Sequence, residues 1–325
     1  MSQPAERVEN EKTESLNPEC QPSGVNRLIG ISPAITVIRD TIVKLSKIDA
    51  TILITGETGT GKGLVARLIH DTSQRRHGQF VAFSCGMIPM TLFESELFGH
   101  KKGAFTDACY ERRGLFAEAE GGTLFLDDIQ NAPLPIQAKL LQAIEDKTIR
   151  RLGESSLKRV DVRIVCATNE DLRILIKQGL FREDLFYRIS VIPIHIPLLR
   201  ERVTDIPILA DFFLKECAIK TKRKILGFDN KAKKKMMLYS WPGNVREMQN
   251  VIERAVALSS GPRISAADVQ LGGSITSRKK PFSKETLACL LNATKGNVSL
   301  TARVLGITRR TLYRYLKNYR LNYVK

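Results

Sequence analysis

The chain has 325 residues, a hydrophobic content of 43%, a charged content of 26% and a formal net charge of +17. These proportions are those of an ordinary soluble protein of two or three domains. No apolar run approaches the ~18–20 residues that cross a bilayer, and the first residues lack a signal-peptide core. The six cysteines are scattered, without a C-x-x-C pair. We therefore expect a cytoplasmic protein without a membrane span, a disulfide framework or a zinc site.

The positive charge is concentrated near the end of the chain. From Arg278 to Lys325 there are twelve Lys and Arg residues and one acid, Glu285. This segment also carries apolar residues at helical spacing, which a merely solubilising tail does not need. The charge therefore predicts a polyanionic partner for the C-terminal module.

The first predicted strand, Thr51–Thr55, leads directly into a glycine-rich loop. Glycines let backbone N–H groups face phosphate oxygens, and a lysine and the start of a helix (Leu64 to His70) add positive charge. The spacing G-x-x-x-x-G-K predicts a nucleotide-phosphate site. Its residues are Gly56, Glu57, Thr58, Gly59, Thr60, Gly61, Lys62 and Gly63.

Four further apolar runs alternate with helical patterns, namely Phe80–Cys85, Thr123–Asp127, Val162–Ala167 and Val191–Ile196. Short apolar strands separated by helices predict a parallel sheet that is buried on both faces, and hence an α/β fold. The run that begins at Thr123 ends in two acids. At this edge Asp127 would hold Mg²⁺ through water, and Asp128 would polarise the attacking water.

Beyond Pro197 the pattern becomes helical. Ile206 to Cys217 carries apolar residues on one face, and Val245 to Leu258 forms another amphipathic segment. Trp241-Pro242-Gly243 is interpreted as a packed helix start. We assign a flexible tail to residues 1–27, an α/β subdomain to 28–196, a helical lid to 197–260, a Ser- and Gly-rich linker to 261–280 and a small all-α domain to 281–325.

The last 45 residues contain a helix–turn–helix pattern. Asn297 and Thr308 can cap its two helices, and Gly306 supplies the turn. Leu312 and Leu316 face the small core. The residues left outward, where the DNA major groove would lie, are Thr308, Arg309, Arg310, Tyr313 and Arg314. The module therefore predicts binding to duplex DNA.

Six segments resemble, in order, the central AAA+ domain of bacterial enhancer-binding proteins, the activators of sigma-54 RNA polymerase. They are Glu94–Ala108, Gly121–Asp128, Cys166–Leu172, Phe181–Arg188, Pro197–Ile206 and Trp241–Asn250. The C-terminal module is similar to the Fis-type DNA-binding domain that ends these activators. The resemblance implies a P-loop AAA+ ATPase that uses ATP and Mg²⁺, with a helical lid and a helix–turn–helix domain.

The resemblance also implies roles for single residues. Thr168 and Asn169 match sensor I, and Arg246 matches sensor II on the lid. Arg182 and Arg188 match the arginine fingers that act on a neighbouring subunit. The family's sigma-54 contact loop, with an exposed Phe105 at its tip, corresponds to Gly103, Ala104, Phe105, Thr106, Asp107 and Ala108.

Several positions depart from the family pattern. Asp128 replaces a usual Glu, and Ser84 replaces the Asn that faces this acid, so hydrolysis is expected to be slow or differently gated. Asp107 replaces a Gly, which adds charge and removes backbone freedom from the contact loop. Gly63 stands where the family usually has Glu, and Thr301 where it usually has Ala.

The sequence predicts an ATP-hydrolysing activator that binds an upstream DNA site as a dimer, assembles into a ring of up to six copies and remodels closed complexes of sigma-54 RNA polymerase. About 27 residues precede the AAA+ part, too few for a receiver domain. Control would then come from a regulatory partner, a mixed ring or the expression level. One alternative is a DNA-binding repressor or scaffold with an impaired ATPase centre. Another, an AAA+ replication or remodelling ATPase, leaves the Phe105 loop unexplained.

Overall fold

The protein is described here from a computed structural model. The structure describes residues 24–86, 90–105, 110–259 and 261–272, and the single residues Val298, Thr301, Leu312 and Leu316. The chain divides into two compact units, Met1–Gln270 and Leu271–Lys325. The first unit contains all the strands and helices whose bounds are given below.

The strands, in chain order, are β1 (Ile52–Thr55), β2 (Phe80–Ser84), β3 (Gly99–His100), β4 (Arg112–Arg113), β5 (Thr123–Asp127), β6 (Thr148–Ile149), β7 (Lys158–Arg159), β8 (Arg163–Thr168), β9 (Ile192–His195), β10 (Gly227–Phe228) and β11 (Arg263–Ile264). The α-helices are α1 (Pro33–Leu45), α2 (Lys62–Thr72), α3 (Met90–Phe98), α4 (Leu115–Glu118), α5 (Leu134–Glu145), α6 (Leu172–Lys177), α7 (Glu183–Ile189), α8 (Ile206–Thr221), α9 (Asn230–Leu238) and α10 (Asn244–Leu258). Short 3₁₀ turns, including Ile129–Asn131, Leu199–Glu201 and Val203–Asp205, join several of them.

Five parallel strands form the central sheet in the order β2-β5-β8-β1-β9. All six residues of β8, in the middle of the sheet, are buried. Because every strand runs in the same direction, the carboxyl ends of β1, β5 and β8 meet at one edge. The predicted α/β fold with a buried parallel sheet is confirmed.

Alternate residues of the central strands face two different cores, as the period-2 geometry of a strand requires. Leu124, Leu126 and Cys166 pack with α3, α5 and α7 on one face. Phe125 and Val165 pack with α1 and α2 on the other face. Helices on both faces remove the strands from water, so these strands carry near-continuous apolar runs.

A small helical lid follows the sheet, as predicted. The apolar face of α8 is buried at every predicted position, namely Ile206, Leu209, Ala210, Phe213, Leu214 and Cys217. Trp241 is fully buried, and its indole N–H donates to the carbonyl of Met236 at 2.9 Å. It therefore belongs to the packed start of α10, as the sequence predicted.

The segment after α10 differs from the expected linker. Strand β11 pairs in parallel with β10, and the Leu226 N–H donates to Pro262 O at 2.7 Å. Ile264 and Val269 are fully buried. The Lys235 ammonium donates to the carbonyls of Ala266 and Val269, each at 2.8 Å. Residues 261–270 therefore pack on the lid, because two apolar side chains within the polar stretch find a core there.

In the second unit the structure describes Leu271, Gly272 and four single residues further along the chain. Val298, Thr301, Leu312 and Leu316 are helical and buried. This agrees with the expectation that Leu312 and Leu316 belong to a small helical core. The predicted DNA-contacting residues Thr308, Arg309, Arg310, Tyr313 and Arg314 lie outside the described residues. Among the helices that the structure does describe, none is long and apolar enough to span a membrane.

A buried carboxylate joins the start of the α/β subdomain to the start of the lid. Asp205, immediately before α8, is fully buried. Its Oδ1 accepts the N–H groups of Ile31 at 2.6 Å and Ser32 at 2.8 Å, and its Oδ2 accepts the Ser32 hydroxyl at 2.7 Å. A Cβ at Gly30 would lie 2.7 Å from Oδ2, so glycine is required there.

We expect Asp205→Ala to lower the free energy of unfolding by about 3 kcal/mol, because it leaves three donors to a charged acceptor unpaired. Urea unfolding measures this loss. Asp211→Ala is the matched control, since Asp211 pairs with Lys233 at 2.9 Å on the half-exposed surface of α8. Its loss should be below about 1 kcal/mol. Equal losses in the two variants would show that the buried carboxylate has no special role.

Candidate nucleotide site

The loop between β1 and α2 has the geometry of a phosphate cradle. Gly59 and Gly61 have φ angles of +82° and +108°, which residues with a side chain rarely adopt. Gly61 directly precedes the 11-residue helix α2, so the helix N-terminus faces the loop. The Thr60 hydroxyl bridges back to the carbonyl of Glu57 at 2.8 Å. Backbone donors and a helix dipole therefore converge where the sequence predicted bound phosphates.

The Lys62 side chain closes the cradle. Its ammonium donates to the carbonyl oxygens of Gly56 at 3.0 Å and Glu57 at 3.4 Å, and the residue is 8% exposed. Burial lowers the pKa of Lys62, Asp127 and Asp128 act to raise it, and Arg246 acts to lower it. These influences place both acids and the lid arginine within electrostatic range of the ammonium.

The acids at the end of β5 differ in environment. Asp127 is half-buried, and its Oδ1 accepts the backbone N–H of Asp128 at 3.0 Å. Burial raises the pKa of Asp127, the charge of Asp128 raises it further, and Lys62 opposes this. The Asp128 backbone is left-handed, with φ +52°. The two carboxylates therefore stand beside each other at the carboxyl edge of the sheet.

A glutamine joins two of the predicted catalytic residues. The Gln130 amide nitrogen lies 2.5 Å from Asn169 Oδ1 and 3.2 Å from Asp128 Oδ1. Asn169 in turn donates through Nδ2 to the Thr58 hydroxyl at 3.1 Å. Three separate sequence motifs thus meet in one hydrogen-bonded chain. Gln130 was not among the predicted site residues, because no motif for phosphoryl transfer requires a glutamine two residues after the acid.

Ser84 was expected to face Asp128, and the structure does not join them. Ser84 lies in register with Asp127 across β2 and β5. Within the described part of the chain, no hydrogen bond connects its hydroxyl to the Asp128 carboxylate. The described side chain that does hydrogen-bond to the Asp128 carboxylate is Gln130.

The lid contacts the phosphate loop through the start of α10. Asn244 is fully buried, and its Nδ2 donates to Thr58 O at 3.1 Å and to Glu57 Oε2 at 3.3 Å. The N–H groups of Val245 and Arg246 donate to Gly59 O at 3.0 and 3.3 Å. Arg246 is exposed on this turn, near Lys62 and Asp127. The backbone of the predicted sensor arginine therefore contacts the phosphate loop, and Asn244 is a further lid contact to which no sequence motif pointed.

Arg182 and Arg188 lie at the two ends of α7, Arg182 as its N-cap residue and Arg188 in its last turn. Both are exposed. Arg182 forms an ion pair with Asp184 at 2.6 Å. Arg188 lines a cavity with Thr51 and Arg163. Thr51 and Arg163 stand where β1 and β8 begin, so Arg188 lies at the opposite edge of the sheet from the acids.

The described part of the predicted contact loop, up to Phe105, lies against the β6–β7 hairpin. Lys101 pairs with Glu154 at 3.0 Å, and Arg151 pairs with Glu111 at 2.6 Å, so both arms of the loop are held by ion pairs. The Phe105 ring packs edge-on against His100 with centroids 5.0 Å apart. Phe105 is half-buried, so the expectation of an exposed ring is wrong for this conformation. Thr106, Asp107 and Ala108 lie outside the described residues.

Comparisons with known proteins agree with this geometry. The sequence matches the sigma-54 interaction domain over residues 28–195, an AAA+ ATPase lid domain over 200–286 and the Fis family of bacterial regulatory proteins over 280–319. The transcriptional regulatory protein ZraR of Salmonella typhimurium is 43% identical over 295 residues, which is 88% of this chain and 67% of ZraR. GlrR of Escherichia coli is 45% identical over 282 residues, 84% of this chain and 64% of GlrR. The chain thus spans about two thirds of the length of these relatives.

Solved structures show the same relationship. NtrX from Brucella abortus superimposes with a TM-score of 0.69 at 35% identity, covering 91% of this chain and 70% of NtrX. Crystal structures of NtrX are also known in complex with ATP and with ADP. A RuvB variant of Thermotoga maritima has a TM-score of 0.51 at 17% identity, covering 91% of this chain and 90% of RuvB, which shows a shared fold alone.

The raised pKa of Asp127 has a consequence for stability. At neutral pH the charge of Asp127 lowers the free energy of unfolding. This loss declines as the pH falls through the raised pKa of the folded state. It vanishes below the pKa of the unfolded state, about 3.9. We therefore expect Asp127→Asn to stabilise the nucleotide-free protein at pH 7, with no gain under acid. Urea unfolding at both pH values measures the difference. Asp40→Asn, on the exposed face of α1, is the control, and a less stable Asp127→Asn protein at pH 7 would contradict the expectation.

Proposed function

We propose, because the chain belongs to the family of sigma-54-interacting AAA+ transcription regulators, that it is an ATP-hydrolysing activator of sigma-54 RNA polymerase. It binds upstream duplex DNA through its Fis-type module and remodels closed promoter complexes. The observation that carries this proposal is the meeting of the phosphate loop, the acids, the sensor asparagine and the lid at one edge of the sheet. The chemistry required for phosphoryl transfer is mainly positioning and charge stabilisation, and this edge supplies both.

ATP is the substrate. The loop from Gly56 to Gly63 encloses its phosphates, and Lys62 offers its ammonium to them. Arg246 approaches from the lid. The known complexes of NtrX with ATP and ADP support nucleotide binding by this chain. Asp128 polarises the attacking water, and Asn169 reports the position of the γ-phosphate to that acid.

The residues present fit a magnesium ion. Among the described residues there is no cluster of three or more His, Cys, Asp or Glu side chains that could hold a metal alone. Mg²⁺ commonly needs only one or two carboxylates beside substrate phosphates and water. Asp127, half-buried with a raised pKa, is a carboxylate whose charge a cation would stabilise. Asp127 would hold the ion through water, and the ion would neutralise charge on the phosphate oxygens.

The arginines require assembly. Two observations support a role in trans: Arg182 and Arg188 are both exposed, and among the described residues neither side chain bonds the phosphate loop or the acids of its own chain. An arginine supplied in trans is worth about 10³–10⁵ in rate in other phosphoryl-transfer enzymes. We therefore propose that copies of this chain assemble into a ring in which each site is completed by the next subunit.

The contact loop and the DNA module complete the proposal. The segment Gly103–Ala108 engages sigma-54, and the ion pairs on its two arms connect it to the β6–β7 hairpin. Thr308, Arg309, Arg310, Tyr313 and Arg314 contact duplex DNA, where arginine reads guanine or neutralises phosphate. DNA binding at an upstream site brings the ring close to the polymerase.

Transcription in vitro from a sigma-54 promoter tests the function. We expect open-complex formation with ATP and none with a non-hydrolysable ATP analogue. Lys62→Ala should abolish both ATP turnover and activation while DNA binding persists, because Lys62 lies in the phosphate loop. Lys44→Ala, an exposed lysine of α1, is the matched control. Activation by the analogue, or by Lys62→Ala, would rule out a hydrolytic mechanism.

Complementation between two inactive variants tests the trans arginine. Alone, Arg182→Ala should lose turnover by about 10³-fold or more, and Lys62→Ala should be inactive. Mixed, they should recover part of the turnover, because an Arg182→Ala subunit keeps its phosphate loop and a Lys62→Ala neighbour supplies Arg182. The measurement is ATP turnover at fixed total protein.

The control mixture combines Lys62→Ala with the double variant Lys62→Ala/Arg182→Ala. It should stay inactive, since no subunit has an intact phosphate loop. If the first mixture also stays inactive although both proteins assemble, Arg182 does not act between subunits.

A further inference from the structure

The Asp128 carboxylate has one hydrogen-bonding side chain among the described residues, and it is Gln130. Gln130 lies in the 3₁₀ turn Ile129–Asn131 that follows β5. Its amide nitrogen contacts Asp128 Oδ1 at 3.2 Å and Asn169 Oδ1 at 2.5 Å. One NH₂ group therefore spans the proposed water-polarising acid and the proposed sensor.

The partners of this amide determine its orientation. An ionised carboxylate is acceptor-only. The Asn169 amide donates through Nδ2 to the Thr58 hydroxyl, which turns its Oδ1 toward Gln130. Both neighbours thus accept from the nitrogen of Gln130, and in this arrangement neither offers a donor to its oxygen. The side chain has a single orientation that satisfies them.

This orientation leaves the amide oxygen without a partner. Gln130 Oε1 is buried and accepts no hydrogen bond within the described part of the chain. An unpaired buried acceptor costs free energy, so the side chain is held here by its two N–H contacts and not by its oxygen. A glutamine with a purely structural role would be expected to satisfy both ends, as Gln137 does with Ala132, Leu180 and Arg182.

We propose that Gln130 is a positioning residue that couples the position of the Asp128 carboxylate to the position of the Asn169 side chain. The inference rests on the hydrolysis proposed above. The γ-phosphate competes with the Thr58 hydroxyl for Asn169 Nδ2. Asn169 Oδ1 stays on the Gln130 amide, so a movement of the sensor is passed to the acid. The aspartate has one methylene fewer than glutamate, and a side chain bonded to it fixes the place of the shorter carboxylate.

Gln130→Met tests this, because methionine has a similar length and cannot donate a hydrogen bond. We expect kcat for ATP to fall about tenfold to a hundredfold, the value of a hydrogen bond to a charged group. KM for ATP and the Kd of a non-hydrolysable analogue should change little, because Gln130 does not line the phosphate loop. Gln142→Met, the same change at an exposed glutamine of α5, should leave turnover unaltered.

A double-mutant cycle with Asn169→Ala separates positioning from packing. If Gln130 acts through Asn169, the double variant should lose little more than Asn169→Ala alone. Gln130→Asn retains the amide on a shorter side chain that cannot span both partners, and it should match the methionine variant. Rescue by Asn, or additive losses in the cycle, would overturn the proposal.

Other outcomes are equally decisive. A kcat that is unchanged or raised in Gln130→Met would show that the amide does not position the acid, and a parallel loss of analogue binding would show a structural role. Wild-type protein without any turnover under assembling conditions would overturn the proposed hydrolysis, and this inference with it. Wild-type turnover matched by Gln130→Met would overturn this inference alone.

Discussion

The contact between the lid and the phosphate loop is the constraint on which the rest of the site depends. The carbonyl of Gly59 accepts two N–H groups from the first turn of α10. A Cβ at Gly59 would lie 2.3 Å from the carbonyl oxygen of Gly243, so the approach requires glycine on geometric grounds as well as for its φ angle. Asn244 adds a donor to the carbonyl of Thr58. The conformation of the phosphate loop therefore depends partly on the lid, so a movement of the lid would also move the loop.

This arrangement removes two charged side chains from water, Lys62 almost completely and Asp127 in part. Lys62 has a lowered pKa and Asp127 a raised one, and burial is the first cause of both shifts. Each charged form is therefore disfavoured in the nucleotide-free protein, despite their mutual attraction. In the proposed function, a phosphate beside Lys62 and a cation beside Asp127 would favour the charged form of each. The nucleotide-free protein is therefore less stable than it would be without these buried charges, and nucleotide binding would offset this loss. Such a conflict between function and stability is common at functional sites.

The sequence was sufficient for features that depend on short-range patterns. Strand β5 has the predicted bounds, the α8 face is buried as its spacing required, and the phosphate loop adopts the positive φ angles that its glycines allow. Contacts between distant segments were less accessible. Asn244 reaches Thr58 across 186 positions of sequence, and no local pattern records this. The packing of Val269 was missed because composition, rich in Ser and Gly, outweighed single apolar residues in the linker assignment.

The role of Asp128 also depends on contacts between distant segments and not on a local sequence pattern. Asp128, Ser84 and Asp107 are the evidence for the alternative of a repressor or scaffold with an impaired ATPase centre, because each replaces a residue that the resemblance leads one to expect. In the structure Asp128 is connected through Gln130 and Asn169 to the Thr58 hydroxyl, and the Thr58 carbonyl is bonded to the lid. A continuous set of hydrogen bonds thus runs from the acid to the lid. The carboxylate is placed by a network, so the length of its own side chain is only one of the terms that decide how well it can act.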